Sequence, residues 1–301
     1  MLWVILALSA YFLLAIVELI DKRILSSPTV SPLPYAFYAG LLVSFSFILW
    51  PLDFSWLSPL LTVFALGGGI TFFVGIYFLY GAIIKGEVSR VISIVGGISP
   101  ILIFVFSLLF LNEKFHFYSL AALLMLISGS ILLSFVKDGE KYKFGKHFFL
   151  LSFLAALFFA TSYGLTKAVF LKTSFLNGFI WILVGTLLCV MFVFLVPRWR
   201  KAILESSRGL SSRLTALFFI DKGISAIAHI ILNYAIKLGS VAIVNALQAV
   251  EYAFIFLLAL GLSFFCPRIF YESLAPKHVI PKMIGIALVS FGVVLLFVGG
   301  A

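Results

Sequence analysis

Long runs of apolar residues separated by short polar breaks dominate the chain. Runs long enough to span a membrane lie at 2–21, 34–52, 59–84, 88–111, 117–136, 148–171, 174–196, 214–236, 240–265 and 281–299. A helix needs about 20 mostly apolar residues to cross the hydrocarbon core of a bilayer. Charged residues, glycines and prolines divide the runs, as at Lys85-Gly86-Glu87. The pattern predicts an all-α membrane protein of ten transmembrane helices, called spans 1 to 10 below.

Composition strengthens this prediction and excludes a soluble protein. Hydrophobic residues make up 63% of the 301 residues and charged residues 11%, against about 45–50% and 25% in soluble domains. Ten spans leave no room for a separate soluble domain. Cys189 and Cys266 lie within or at the edge of apolar runs, which favours neither a disulfide framework nor a metal site. We therefore expect no metal and no cofactor.

The net charge of +10 is explained by the loops and not by nucleic acid, because basic residues concentrate between the spans. Loops 1–2, 3–4, 5–6, 7–8 and 9–10 carry sixteen lysines and arginines, and the opposite loops carry four: Lys114, Lys167, Lys172 and Lys237. The positive-inside rule makes the heavier set cytoplasmic. We expect a multi-pass protein of the cell inner membrane with both termini outside the cytoplasm, in contact with anionic lipids.

The two halves of the sequence resemble each other. AIIKGEVSRV at 82–91 aligns with AIKLGSVAIV at 235–244, and further matches pair Lys22 with Lys167, Pro51 with Pro197, Ala122 with Gly285 and Gly129 with Gly292. Each match relates span n to span n+5, and since five is odd, the second copy is inverted in the membrane. This predicts two five-helix repeats, at 1–140 and 141–301. The alternative is that apolar segments resemble one another by composition alone.

Three stretches carry a resemblance to a known superfamily: VELIDKRILSS at 17–27, the segment 80–115 with Pro100 and Glu113, and NYAIKLGSVAIVNALQAVEYAFIFLLALGLSF at 233–264. With the ten spans, they resemble the EamA-like branch of the drug/metabolite transporters. The second half departs from the pattern, because Ala253 stands where Pro100 would fall and the acidic residue after span 9 is displaced to Glu272. The resemblance implies a central cavity lined by spans 1, 3, 4, 6, 8 and 9, with spans 5 and 10 peripheral.

Ionisable residues inside spans are costly and mark candidate sites. In span 9, four polar side chains fall within about 120° of arc at 100° per residue: Asn245, Gln248, Glu251 and Tyr252. Span 8 carries a stripe with a spacing of four and a lysine beside it: Asp221, Ser225, His229 and Asn233, with Lys222. Both stripes predict a face toward a cavity. Alternatively, they form interhelical hydrogen bonds or a neutralised network with Lys222 paired to Glu18 or Glu251.

Span 1 and the pair of spans 3 and 4 add weaker candidates. Glu18 lies inside span 1 but near the interface, and its position resembles that of the helix 1 glutamate of small multidrug exporters in the same superfamily. Alternatively, the adjoining Asp21 and basic residues tie it into an interfacial salt bridge. Ser93, Tyr77 and Tyr80 complete the candidate set, with packing as the alternative role.

These features favour a secondary transporter that binds a small metabolite, amino-acid-like or drug-like solute and works by alternating access. Protonation of Glu251, Glu18 or His229 could couple export to the proton gradient. No GxxxxGK[ST], HExxH or GxSxG motif occurs in the sequence, so ATP-driven transport and enzyme activity are disfavoured. The alternatives are a lipid-carrier flippase and a non-transporting scaffold subunit. We expect a monomer or a weak homodimer.

Overall fold

The described part of the chain is built from helices. A computed structural model describes residues 1–25, 31–43, 48, 50–85, 88–134, 146–207, 212–265 and 276–299. Its helices are α1 (Leu2–Leu25), α2 (Pro32–Val43), α3 (Pro59–Lys85), α4 (Val88–Phe110), α5 (Phe117–Ser134), α6 (Lys146–Phe170), α7 (Phe175–Leu195), α8 (Pro197–Ser207), α9 (Ser212–Leu238), α10 (Val241–Ala246), α11 (Gln248–Phe265) and α12 (Pro276–Val298).

The predicted spans map onto these helices with shifts of a few residues at most ends, except that α2 ends at Val43 and span 2 was predicted to reach residue 52. Spans 1 to 7 are α1 to α7, span 8 is α9, span 9 is α10 with α11, and span 10 is α12. Six segments in the described residues are long and apolar enough to cross a membrane, and three shorter apolar helices lie at 94–110, 117–133 and 283–298. The chain is therefore a multi-pass, all-α membrane protein, while the count of ten spans stays a prediction.

Helix α8 lies where the sequence suggested only a polar connection. It is amphipathic: Ile203 is buried against Phe37, Phe73 and Val193, while the side chain of Trp199 is partly exposed. Pro197 suits the first position of a helix, because that position needs no backbone N–H bond. A short helix with one buried apolar residue and basic residues on its exposed face is suited to lie along the membrane interface.

Span 9 is interrupted and not continuous. Helix α10 ends at Ala246 and is capped by Leu247, whose N–H donates to the carbonyls of Ile243 and Asn245, and α11 begins at Gln248. Val250 N–H then donates to the Leu247 carbonyl at 2.9 Å, three residues back. Such tight 3₁₀-type geometry within a helix often marks a functional position. The interruption lies among the polar residues of span 9 that the sequence singled out.

The glycines that align between the two halves bring α5 and α12 into close contact. A Cβ on Gly129 would lie 2.9 Å from the Gly285 carbonyl oxygen, and one on Gly285 would lie 3.0 Å from the Gly129 carbonyl oxygen. Seven residues along, a Cβ on Gly292 would lie 3.2 Å from the Ala122 carbonyl oxygen. Small residues thus let the two backbones approach, as the spacing predicted.

Helices α3 and α7 also approach through glycine. A Cβ on Gly69 would overlap the Ile182 carbonyl oxygen and lie 2.5 Å from the Thr186 nitrogen, and one on Gly185 would overlap the Leu66 carbonyl oxygen. The contact also carries a hydrogen bond from Thr186 Oγ1 to the Gly69 carbonyl at 3.2 Å. These obstacles are backbone atoms, so a side chain rotation cannot remove them.

Gly69→Ala is therefore expected to lower the stability of the protein by about 1–3 kcal/mol, the usual cost of overpacking. Gly223→Ala in α9 is the matched control, because a Cβ there meets nothing within 4 Å; it is expected to be neutral or stabilising by up to about 1 kcal/mol. Thermal unfolding of the detergent-solubilised variants, followed by tryptophan fluorescence, measures both. Equal unfolding midpoints for the two variants would contradict the α3–α7 contact.

Candidate functional site

A cavity of about 120 Å³ lies inside the helix bundle. Its lining comes from α1, α3, α4, α6, α9, α10 and α11, with Ala39 of α2, and among the described residues includes none of α5 or α12. The six spans that the family resemblance implied all contribute, and span 2 contributes in addition. The space is small beside the roughly 300–1,000 Å³ of drug-sized pockets.

The cavity lies in the middle of the bundle and reaches toward one side. Helices α1 and α3 line it mainly with their second halves, as far as Asp21 and Tyr80, whereas α9 lines it around its middle, from Lys222 to Leu232. Asp21 near the end of α1 contacts Lys222 in the first half of α9, so the end of α1 and the start of α9 lie on the same side. We call it the Lys222 side, and the opposite side the Lys167 side.

Nine of the twelve candidate residues line this cavity: Glu18, Tyr80, Lys222, Ser225, His229, Asn245, Gln248, Glu251 and Tyr252. Asp221 is fully buried but lies behind Lys222 and outside the lining. Tyr77 is 41% exposed and is likewise outside the lining. The Ser93 side chain lies outside the described part of the structure. The sequence stripes of α9 and of α10 with α11 thus meet in one place.

Lys222 is the centre of a buried charge cluster, here called the Lys222 cluster, with Asp21, Asp221 and Tyr35. Lys222 Nζ lies 2.9 and 3.2 Å from the two carboxylate oxygens of Asp21 and 2.8 Å from Asp221 Oδ2. Tyr35 donates a hydrogen bond to Asp21 Oδ1. The cluster joins α1, α2 and α9. The lysine pairs with neither Glu18 nor Glu251, the partners suggested by the sequence.

Aromatic rings enclose the same ammonium group. Lys222 Nζ lies 4.9 Å from the ring centre of Tyr35, 5.5 Å from that of Phe218 and 6.0 Å from that of Tyr80. Such rings attract a cation through their negative faces. Two carboxylates and three rings already satisfy this one ammonium group, so it is not available as a receptor for an anion.

Glu251 is the most distinctive side chain of the cavity. It lies in the first turn of α11 and is 3% exposed, where the helix dipole favours a negative charge. Among the residues that the structure describes, its Oε2 atom has no hydrogen-bond partner. Burying an unpaired polar atom is costly, so such an atom in a cavity calls for an explanation.

The polar stripe of α9 is largely engaged along its own helix. His229 Nδ1 lies 2.8 Å from the Ser225 carbonyl oxygen, and Asn233 Nδ2 donates to the His229 carbonyl at 2.9 Å. The His229 ring also packs edge-on against Phe72 at 5.4 Å. These contacts fix the orientation of His229 at the cavity wall.

On the Lys167 side, two charged residues hold the joint between α9 and α10. Lys167 Nζ donates to the carbonyls of Ile236 at 2.8 Å and Gly239 at 2.5 Å, at the end of α9. Glu113 accepts hydrogen bonds from Ser240 Oγ at 2.6 Å and Val241 N–H at 3.3 Å, at the start of α10. A lysine at a helix C-terminus and a carboxylate at a helix N-terminus each carry the charge that the helix dipole stabilises at that end. We call this arrangement the joint clamp.

A second set of contacts on the Lys167 side ties the loop before α3 to α7. Asn177 accepts a hydrogen bond from Ser55 N–H at 3.1 Å and donates to Ser55 Oγ at 2.8 Å, and Trp181 donates to the Ser55 carbonyl at 3.0 Å. Ser174 Oγ lies 2.5 Å from Asp53 Oδ2. This side of the bundle is closed by hydrogen bonds between separate segments.

Sequence reasoning missed Tyr11 and Tyr163 and gave Asp21 only an interfacial role. Tyr11 lines the cavity and donates to the Val244 carbonyl of α10 at 2.9 Å, and Tyr163 lines the cavity from α6. One signal was present: Tyr11 precedes Glu18 by seven residues, two helical turns, and so shares its face. The contact of Tyr11 with α10, and the position of Tyr163 of α6 at the same cavity, could not be predicted from residue spacing.

Lys222→Met is expected to destabilise the protein by about 3–5 kcal/mol, because it removes the cation that balances Asp21 and Asp221. Neutralising both partners as well, with Asp21→Asn and Asp221→Asn, should restore most of the loss. Thermal unfolding in detergent measures the series, with Lys201→Met as control because that side chain is 78% exposed. A triple variant as unstable as Lys222→Met would contradict the pairing.

Glu113→Ala is expected to accelerate amide hydrogen exchange across Gly239–Val244, because the Ser240 hydroxyl and the Val241 N–H lose their acceptor. Hydrogen–deuterium exchange with mass spectrometry reads this segment, with α12 as internal reference. Glu205→Ala on α8 is the control, since its carboxylate is exposed and makes only a 3.9 Å pair with Lys201. Unchanged exchange in α10 would show that the clamp does not stabilise the joint.

Comparison with known proteins agrees with this architecture. No curated protein matches the chain, whereas 26 chains of solved structures do. One of them, described as "Crystal structure of protein", has a TM-score of 0.69 and 16% identity and covers 97% of this chain and 94% of its own; at that identity it shows the fold alone. The model of the EamA-like transporter family matches residues 1–135, which confirms the predicted superfamily. Residues 1–135, which contain α1 to α5, are therefore similar to the EamA-like transporter family.

Proposed function

We propose that the protein is a secondary transporter that carries a small solute across the cell inner membrane by alternating access. The observation that carries the proposal is the polar cavity reaching both Glu251 and the α9 stripe, enclosed by apolar helices. Ionisable groups in such a position are costly and mark solute or ion pathways. The match to a membrane transporter family supports transport and weighs against an enzyme.

An inverted repeat of two five-helix units, 1–140 and 141–301, supplies the moving parts of this proposal. Helices α3 and α9 have 27 residues each and begin and end at aligned positions. The packing pairs also exchange between halves: α3 packs on α6 as α9 packs on α1. The family match ends at residue 135, next to the proposed boundary. In related architectures, one repeat rocks against the other around a central site.

The basic-rich loops support an orientation of the chain in the membrane. In sequence, these loops follow the ends of α1 and α3, which lie on the Lys222 side. The joint clamp and the Ser55–Asn177 contacts close the Lys167 side. With the basic loops in the cytoplasm, both termini and the Lys167 side lie outside.

Proton coupling is the proposed energy source. Glu251, Glu18 and His229 line one cavity, so three groups that can exchange protons lie together inside the bundle. A proton taken up there on one side of the membrane and released on the other would drive export of the solute. The cavity forms within one chain, so the protein is proposed to work as a monomer or a weak homodimer.

The two alternatives fit the contacts less well. A flippase for a phosphate-bearing lipid needs an available basic group, and Lys222 is engaged by Asp21 and Asp221. A scaffold subunit needs polar groups only as interhelical contacts. The cavity and the unpartnered Glu251 Oε2 exceed that requirement.

Transport is tested with proteoliposomes loaded with a defined mixture of amino acids, amines, sugars and nucleosides, with a proton gradient imposed across the membrane. Mass spectrometry of the released solutes is expected to show export of at least one class, and Glu251→Gln should lower its rate about tenfold or more. Glu205→Gln is the matched control, because Glu205 is exposed on α8.

Release no faster than from protein-free liposomes for every solute class would overturn the transporter proposal. Export that Glu251→Gln leaves unchanged would retain the transporter and remove Glu251 from the site. Size-exclusion profiles of both variants check that each is folded.

A further inference from the structure

The cavity holds more negative than positive side chains. Its lining contributes three carboxyl groups, Glu18, Asp21 and Glu251, and one ammonium group, Lys222. Asp221 adds a fourth carboxyl group 2.8 Å from that ammonium. One lysine cannot balance four carboxylates, and uncompensated charges are very costly to bury.

From this imbalance we propose that the cavity is a cation site, which binds small solutes that carry an ammonium group and rejects anions. The inference rests on the proposed transport function and names its substrate class. The excess carboxyl groups are then balanced either by protons or by the bound cation.

Glu251 is the group that receives the cation. It is 3% exposed, it lines the cavity, and in the described part of the chain its Oε2 atom has no hydrogen-bond donor. An ammonium N–H placed there would form a charge-assisted hydrogen bond, which is stronger than a neutral one. Asp21, by contrast, already accepts hydrogen bonds from Tyr35 and Lys222.

The walls near Glu251 suit an alkylammonium ion. Tyr11, Tyr163 and Tyr252 line the same cavity from α1, α6 and α11, and Phe72 and Phe159 add apolar surface. Aromatic faces attract cations and their attached methyl groups. A Cβ on Gly96 would overlap the Tyr252 hydroxyl, so glycine at this position of α4 lets the Tyr252 ring stand where it does.

The cavity volume limits the solute to a small one. About 120 Å³ is well below the roughly 300–1,000 Å³ of pockets that hold drug-sized ligands. A compact amine suits this space, whereas a larger drug-like cation requires the cavity to expand.

Protons and the cation compete for the same carboxylates. The charged and titratable groups around Glu251 in the cavity lining are Glu18, Asp21 and Tyr11 of α1, Tyr80 of α3, Tyr163 of α6, Lys222 and His229 of α9, and Tyr252 of α11. Acidification adds protons to the carboxylates and so removes the negative charge that attracts the cation. The affinity for the cation therefore falls as the pH falls.

Three compounds of one branched skeleton test the inference: neopentylammonium, neopentyl alcohol and pivalate. At mildly alkaline pH, they differ mainly in charge. Binding to the full chain in nanodiscs is measured by titration calorimetry, without reference to transport. We expect neopentylammonium to bind about tenfold or more tightly than either analogue, and mildly acidic pH to weaken its binding.

Glu251→Gln is expected to lower the affinity for neopentylammonium about tenfold or more, a loss of about 1.4 kcal/mol or more. Glu251→Asp keeps the charge and should retain more of the affinity than Gln, which separates charge from folding defects. Glu205→Gln is the control and should bind as the unmodified chain does, since Glu205 lies on α8, outside the cavity.

Pivalate binding as tightly as the ammonium, absent ammonium binding, or unchanged affinity in Glu251→Gln would each overturn the cation site. Its failure is distinguishable from failure of the transport function. Ammonium binding without export of any solute retains the cation site and removes transport. Export of neutral or anionic solutes without ammonium binding retains the transport function and removes the cation site.

Discussion

The ion pairs of Lys222 with Asp21 and Asp221 are the constraint on which the site depends. A bilayer cannot solvate an ammonium ion, so a lysine that is 3% exposed must find its counter-charges inside the protein. Asp21 supplies one from α1 and Asp221 the other from α9, while Tyr35 of α2 holds Asp21 in place. The pairs therefore join three helices and use up the cationic charge of the cavity, which leaves Glu18 and Glu251 to define its electrostatic character.

Much of the fold could be predicted because the membrane imposes simple rules on the sequence. Span lengths follow from bilayer thickness, so the ends of α3 and α4 differ from the prediction by no more than one residue. Helix α8 escaped prediction because it lies outside any apolar run and is positioned by a single buried residue, Ile203. The interruption at Leu247 escaped too, because it contains no proline or glycine and shows only in the backbone hydrogen bonds.

The candidate site was predictable for a related reason, but the contacts between its residues were not. Ionisable residues within apolar runs are rare, so the stripes of spans 8 and 9 stood out and nine of the twelve candidates line the cavity. Helical periodicity gives the face of a residue but not its partner on another helix. The pairing of Lys222 with Asp21 depends on how α1 crosses α9 over a separation of 201 residues, and the placement of Tyr11 beside Val244 depends on contact between α1 and α10.

One pair of positions accounts for the charged wall of the cavity at Lys222. In the proposed repeat, Gly69 of α3 aligns with Lys222 of α9, each eleventh in a helix of 27 residues. Gly69 lets the backbone of α3 touch that of α7, so these two helices pack in direct contact at this position. Lys222 does not permit the same close approach, because its side chain needs room beside Asp21 and Tyr35. Lys222 and Ala39 of α2 both line the cavity instead. A single glycine-to-lysine difference between otherwise similar halves thus gives a close helix–helix contact in one half and a charged cavity wall in the other.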